Sequence, residues 1–251
     1  MKKILIIVII VIIVLAIFLI TKNKKDAKRD YYKRSSHNEH REKSHNTYKN
    51  KDTFEVKGFS KGYDGDFNKK AVEAANKKYS KVTLNTKYSV KGSSNIQGAT
   101  NCEYVRDIDG DTLVAKVNGK NETIRFYGID TPEDVNPRIH CIEPYSIQAK
   151  DFVESKLKSE QTIKILFNDE KGKYGRSVGT IYYKNNNKWY SLNETLVANG
   201  LARVAYLNQN NKTINTNDLY TAQDNARSQK LNIWSIDGYT TRYGFNLAIF
   251  K

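Results

Sequence analysis

The chain of 251 residues has two cysteines, three prolines, one methionine and four histidines. Two cysteines exclude a disulfide-dense scaffold and a cysteine-rich zinc module. Three of the histidines, His37, His40 and His45, cluster near the N-terminus and read as solvated side chains rather than a metal tract, so little is left for histidine-centred catalysis. What the chain has in quantity is 42 Lys+Arg, 27 Asp+Glu and 17 tyrosines, with a net charge of +15. Carboxylates, arginines and tyrosines must carry any chemistry.

The positive charge is concentrated in residues 1–99, which hold +13, while residues 100–251 hold only +2. A nucleic-acid site in the later part must therefore be a local patch rather than a whole basic surface. Ile4 to Ile20 is an unbroken apolar run between lysines, roughly 25 Å of helix against about 30 Å of hydrocarbon, so it just spans with flanking lysines at the interfaces. A cleavable signal peptide is the alternative, but no small-x-small site follows the run. The basic cluster Lys22 to Arg34 would by itself hold the C-terminal part in the cytoplasm. A signal anchor with a short basic head favours export instead, giving a single-pass cell-membrane protein with its folded domain outside. Residues 22–98 are rich in Lys, Asn, Ser and Tyr and read as a solvated stalk, with one short helical pattern at Phe67 to Tyr79. Such a stalk suits contact with anionic lipid or a cell-surface polyanion.

From Cys102 the pattern changes. Residues 111–117 and 122–129 read as strands joined by a tight turn at Asn118-Gly119. Pro144 opens a helix to about Lys158, Thr162 to Phe167 and Val178 to Tyr183 follow as strands, and Ser191-Leu-Asn-Glu194 is a capping box stopped at Gly200. Ala202 to Tyr206 reads as a fifth strand, and Asp218 as the cap of a last helix. The sum is an α+β domain, a five-stranded OB-fold β-barrel with three helices, preceded by one transmembrane helix and the basic stalk. The expected divisions are 1–21 anchor, 22–100 stalk, 101–237 barrel domain and 238–251 tail, the tail packing on the domain.

The polar residues around the first hairpin stand out. Asp107-Ile-Asp-Gly-Asp111 lacks the later glycine and glutamate of an EF-hand loop. An antiparallel hairpin returns its end beside its start, so Asp111 and Asp130 are candidates to face one hard cation. Arg125 lies in the second strand, and Lys173-Tyr174-Gly175-Arg176 places another arginine on a turn suited to gripping phosphate. Singly, an Asp-Gly-Asp is usually a turn and a Tyr-Gly-Arg a solvated loop. Their occurrence together and in order carries the information.

Asp109-Gly-Asp-Thr112, Arg125, Asp130-Thr-Pro-Glu133, Lys173-Tyr-Gly-Arg176, Asn199-Gly-Leu-Ala-Arg-Val-Ala-Tyr206 and Leu231-Asn-Ile-Trp-Ser235 together resemble a staphylococcal-nuclease-type thermonuclease over residues 101–237. The resemblance implies a Ca²⁺-dependent phosphodiesterase that cuts DNA and RNA with little sequence preference and leaves 3′-phosphate ends. It implies Asp111, Asp130 and the Thr131 carbonyl as metal ligands, and Glu133 as the residue that orients or deprotonates the attacking water. Arg125 and Arg176 then hold the scissile phosphate, Lys173 and Tyr174 touch a terminal phosphate, and Tyr206 stacks on a base. The chain departs from the family at Asn208, where a second tyrosine is common, and in the loop Asp134 to Glu143. Cys102 and Cys141 either pair, closing a loop worth up to roughly 4 kcal/mol in the chain-entropy model, or stay as two thiols. The leading expectation is a surface-tethered monomeric nuclease. The alternative is a non-catalytic membrane-tethered nucleic-acid-binding module.

Overall fold

Asn118 and Gly119 both hold positive φ, 48° and 80°, the geometry that lets a two-residue turn follow the right-handed twist of its strands. That turn joins β2 (Thr112–Val117) to β3 (Lys120–Phe126), paired antiparallel from Thr112↔Arg125 to Val117↔Lys120. The computed structural model describes residues 68–251 apart from 85, 87, 135–140, 170, 173–174 and 208–212. The anchor expected over residues 1–21 and the stalk up to residue 67 lie outside the described residues. Among those described, no helix is long and apolar enough to cross a membrane.

The barrel is formed by β1 (Thr100–Asp109), β2, β3, β5 (Thr162–Phe167) and β6 (Ser177–Asn185). Neighbouring strands pair in the order β3-β2-β1-β5-β6, and a parallel β3–β6 pairing closes the ring. This is the five-stranded OB-like architecture expected, with one strand exchanged. Ala202 to Tyr206 is not a barrel strand: only Arg203–Val204 is extended, as β8, and it pairs outside the barrel with the two-residue β4 (Ile129–Asp130). The missing barrel strand is β1, whose charged residues and two register shifts against β2 disguise its alternation. β7 (Lys188–Ser191) extends the sheet from β6.

The three expected helices are present. The Ser146–Lys156 helix, Leu192–Ala198 and Thr216–Ser228 carry the buried residues Phe152, Val153, Leu196 and Leu219 into the barrel core with Leu113, Ile124, Ile163, Ile165 and Ile181. Ser191 Oγ accepts the Glu194 N–H at 3.1 Å, as the capping box predicts. The last helix is capped by Asn215, which accepts the Asn217 N–H, while Asp218 sits in the first turn.

Packing on the barrel begins before residue 101. The helix Lys69–Tyr79 buries Val72, and Gln148 donates to the Tyr79 carbonyl at 2.7 Å. Tyr88 exchanges hydrogen bonds with the Asn199 amide, and Ser93 bridges to Trp189. Val72 belongs to a second apolar cluster with Cys141, Tyr145, Ile233, Ile236, Tyr239, Phe245 and Leu247. The tail thus packs on the domain. It contains a hairpin, β9 (Thr240–Thr241) and β10 (Gly244–Phe245), and its Tyr239 hydroxyl donates to the Pro144 carbonyl at 2.9 Å. Cys102 and Cys141 are both free and buried, in different clusters. Burial pushes each thiol up to about 11, so neither is reactive near neutral pH.

Candidate active site

Arg125 stands at the seam of the barrel, with Thr112 of β2 on one side and Val178 of β6 on the other. Arg176 immediately precedes β6, two residues before Val178, the partner of Arg125. Arg176 is half-buried and follows a turn closed by the Gly172 N–H on the Arg176 carbonyl at 2.9 Å. Both arginines therefore lie close to the point of closure along the chain.

The carboxylates converge on the same seam. Asp111 precedes β2 and Asp130 ends β4, and Arg125 spans both, with Nη1 2.5 Å from Asp111 Oδ1 and Nη2 3.3 Å from Asp130 Oδ1. Asp111 also accepts the Thr112 hydroxyl at 3.1 Å and the Thr131 N–H at 2.9 Å. Thr131 is consequently fixed beside Asp111, although they are far apart along the hairpin. Gly110 permits this approach, since a Cβ there would lie 2.9 Å from Thr131 Oγ1 and 2.7 Å from Ala149 Cβ.

Glu133 stands at the rim with an exposed face. Partial loss of hydration, then the charges of Asp111, Asp109 and Glu143, push its carboxyl up to about 8. Burial and the neighbouring Asp111 raise Asp109 as well. Asp130 is raised first by burial, against the lowering effect of Arg203. Burial opposes the Arg125 charge, but Asp111 and Asp130 outweigh it and raise its pKa. Burial comes first in each of these carboxyl shifts, and repulsion between neighbouring carboxylates is the next cause that raises them; a hard divalent cation would relieve that repulsion. The donor set is all oxygen, as Ca²⁺ or Mg²⁺ requires. Among the described residues no three Asp, Glu, His or Cys side chains converge at ligand spacing; Asp111 and Asp130 are the two carboxylates that Arg125 bridges, and Thr131 is hydrogen-bonded to Asp111.

Tyr206 is 70% exposed and holds φ 54°, unusual for an aromatic residue, with Arg125 and Arg203 each 5.9 Å from its ring centre. Lys173 and Tyr174 lie outside the described residues, as does Asn208. Residues without a role in the sequence reading complete the site. Arg203, 4% exposed, grips Asp130 Oδ2 through Nε at 2.9 Å and Nη2 at 2.8 Å. Glu143 accepts the Glu133 N–H at 3.0 Å, and its own N–H donates to the Glu133 carbonyl at 3.1 Å. Lys150 reaches the Ile108 carbonyl at 2.8 Å and Asp134 at 3.4 Å, tying the Ser146–Lys156 helix to the end of β1 and to the segment after Glu133. The signal for Arg203 is a lone cation inside the apolar stretch Leu201 to Ala205; Glu143 gives no comparable signal.

The family described as Staphylococcal nuclease homologue matches residues 123–236. Endonuclease YncB of Bacillus subtilis (strain 168) is 37% identical over 158 residues, which cover 61% of this chain and 71% of that protein. The SPbeta prophage-derived endonuclease YokF of the same organism is 37% identical over 145 residues, 56% of this chain and 46% of its own. The Thermonuclease of Staphylococcus hyicus is 32% identical over 154 residues, covering 61% of this chain and 86% of the relative. With the closed five-stranded barrel and the carboxylates and arginines gathered at its seam, these matches lead to one conclusion: the chain belongs to the staphylococcal nuclease homologue family.

Proposed function

We propose that the chain is a Ca²⁺-dependent nuclease that hydrolyses phosphodiester bonds of DNA and RNA with little sequence preference, leaving 3′-phosphate ends. Family membership and the relatives named endonuclease and thermonuclease support hydrolysis of nucleic acid. The observation that carries the residue roles is the convergence of Asp111, Asp130 and Arg125 at one seam with Glu133 at its rim.

Asp111, Asp130 and the Thr131 carbonyl hold the cation. A Ca²⁺ held there would supply Lewis-acid stabilisation of the charge that grows on the phosphate. Glu133, at the rim of the seam, is placed to accept the proton of the attacking water. The planar Arg125 fork, which spans two carboxylates here, matches two phosphate oxygens equally well. Arg176, just before β6, adds a second cation where charge grows on the equatorial oxygens. Tyr206, exposed and flanked by guanidiniums, stacks on a base. Lys173 and Tyr174 supply contacts to a terminal phosphate.

We further propose that residues 1–21 anchor the protein in the cell membrane as a single span, that the domain faces outside, and that it acts as a monomer. The basic residues of 22–67 then lie between bilayer and domain, where they suit anionic lipid or surface polyanion. Hydrolysis of single-stranded DNA by the full chain in detergent, with Ca²⁺ and with chelator, tests the chemistry. Activity that requires Ca²⁺ is expected. Tight binding without cleavage under any divalent metal would replace the nuclease with a non-catalytic binding barrel. Protease treatment of intact cells tests the location, and a protected domain rules out surface display.

A further inference from the structure

The tail after Asp237 lies beyond the family match, yet one residue of the site holds it. Arg203 has its Nε and Nη2 on Asp130, and its Nη1 donates to the backbone carbonyl of Arg242 at 3.1 Å. The same guanidinium lies 5.9 Å from the ring centres of Tyr206 and of Phe245. The tip of the β9–β10 hairpin is therefore fixed one arginine side chain away from a proposed metal ligand.

The hairpin is anchored at its base and stiffened at its tip. The Asn246 N–H donates to the Tyr239 carbonyl at 2.7 Å, and the Tyr239 ring packs 5.2 Å from that of Phe245. Thr241 Oγ1 accepts the Tyr243 N–H at 3.1 Å and donates to the Gly244 carbonyl at 2.9 Å. At the tip, Tyr243 is 42% exposed with the Arg242 guanidinium 4.7 Å over its ring. Tyr206 and Tyr243 are two of four large apolar side chains that the described residues expose; Tyr206 lies beside Arg203, and Tyr243 beside Arg242, whose backbone carbonyl Arg203 holds. An exposed ring beside a cation, held rigidly, is the arrangement that binds single strands by stacking on bases while neutralising the backbone.

Resting on the nuclease reading above, we propose that the β9–β10 hairpin is a nucleic-acid subsite: Tyr243 stacks a base, Arg242 contacts the backbone of the same strand, and Arg203 holds both in register with the cleavage site. The substrate class is a single strand long enough to reach from Tyr206 to the hairpin tip. Because Arg203 binds Arg242 through its backbone carbonyl, Arg242→Ala keeps that anchor and removes the exposed cation together with its contact to the Tyr243 ring.

The test is fluorescence anisotropy of labelled oligothymidines, from about two to about twelve nucleotides, on the full chain in detergent with chelator present. Tyr243→Ala and Arg242→Ala are each expected to weaken the longer ligands about tenfold, with the ratio to wild type shrinking as the ligand shortens. Arg242→Ala is expected to lower the salt slope by about one, and Tyr243→Ala to leave it unchanged. Tyr243→Phe, which keeps the stacking face, restores binding. With Ca²⁺ the loss appears in KM for long substrates rather than in kcat. Ratios that stay flat with length overturn the subsite, as does an equal effect from Lys230→Ala, an exposed cation paired with Asp237. A wild-type chain that binds and cleaves while both tip variants track it refutes the hairpin alone. A wild-type chain that neither binds nor cleaves refutes the nuclease reading together with the subsite.

Discussion

The barrel core and the apolar cluster beside it are assembled by different means. The barrel core draws on strands and helices whose inward residues recur at regular spacing, from Leu113 and Ile124 to Ile181 and Leu196. The second cluster takes Val72 from the first helix, Cys141 and Tyr145 from a loop and helix cap, and Tyr239, Phe245 and Leu247 from the tail. The polar site grows from the closure of the barrel, and the second cluster braces one of its approaches through Tyr239 and Phe245. Chemistry and bracing therefore reside in separable parts of the chain, and substitutions in each should have different signatures.

The largest separation is expected from Glu133→Gln, which should reduce kcat by about 10² to 10⁴ with little change in thermal stability. Calorimetric titration with Ca²⁺ checks the role: a collapse in affinity would place Glu133 among the ligands instead. Arg125→Lys keeps the charge and loses the planar two-point contact, so kcat/KM should fall by about 10² to 10³. Unchanged steady-state kinetics would remove its assigned role.

Tyr239→Ala acts on the other region. It empties a fully buried site and removes the hydrogen bond to the Pro144 carbonyl, so a loss of about 3 kcal/mol or more is expected in denaturant melts. Stability unchanged within error would show that the second cluster does not brace the domain. The smallest effect concerns Glu194, raised to about 7 first by burial and then by Asp218. Its folded-state pKa exceeds the unfolded value, so the folded state holds the proton more tightly, and its stabilising contribution fades as pH rises from about 4.5 to about 7. Glu194→Gln should flatten that slope and gain about 1 kcal/mol at pH 8, after allowance for partial solvent screening. Melts across this range that keep the wild-type slope would dismiss the assignment.

Much of the barrel was legible because its strands alternate and its turns carry their own chemistry, as at Asn118-Gly119 and Ser191 to Glu194. β1 escaped because Cys102 and Tyr104 are the main buried apolar residues in a ten-residue strand that otherwise reads as charged. The second cluster escaped because its members come from segments far apart, none with a period of its own. Within the site, the hairpin itself brings Asp130 back towards Asp111, and these residues could be paired from the sequence. Arg203 meets Asp130 only through the β4–β8 pairing, and Glu143 meets Glu133 across a loop, contacts that local spacing does not encode.

The parallel pairing of β3 with β6 also sets when the site comes into being. Residues 124–126 must wait for residues 177–179 to be synthesised and docked, and such a distant pairing closes late because its loop entropy is spent before the contact is gained. Until then Arg125 has no neighbour on the β6 side. A chain whose barrel is still open therefore lacks the β3–β6 seam at which the candidate site lies.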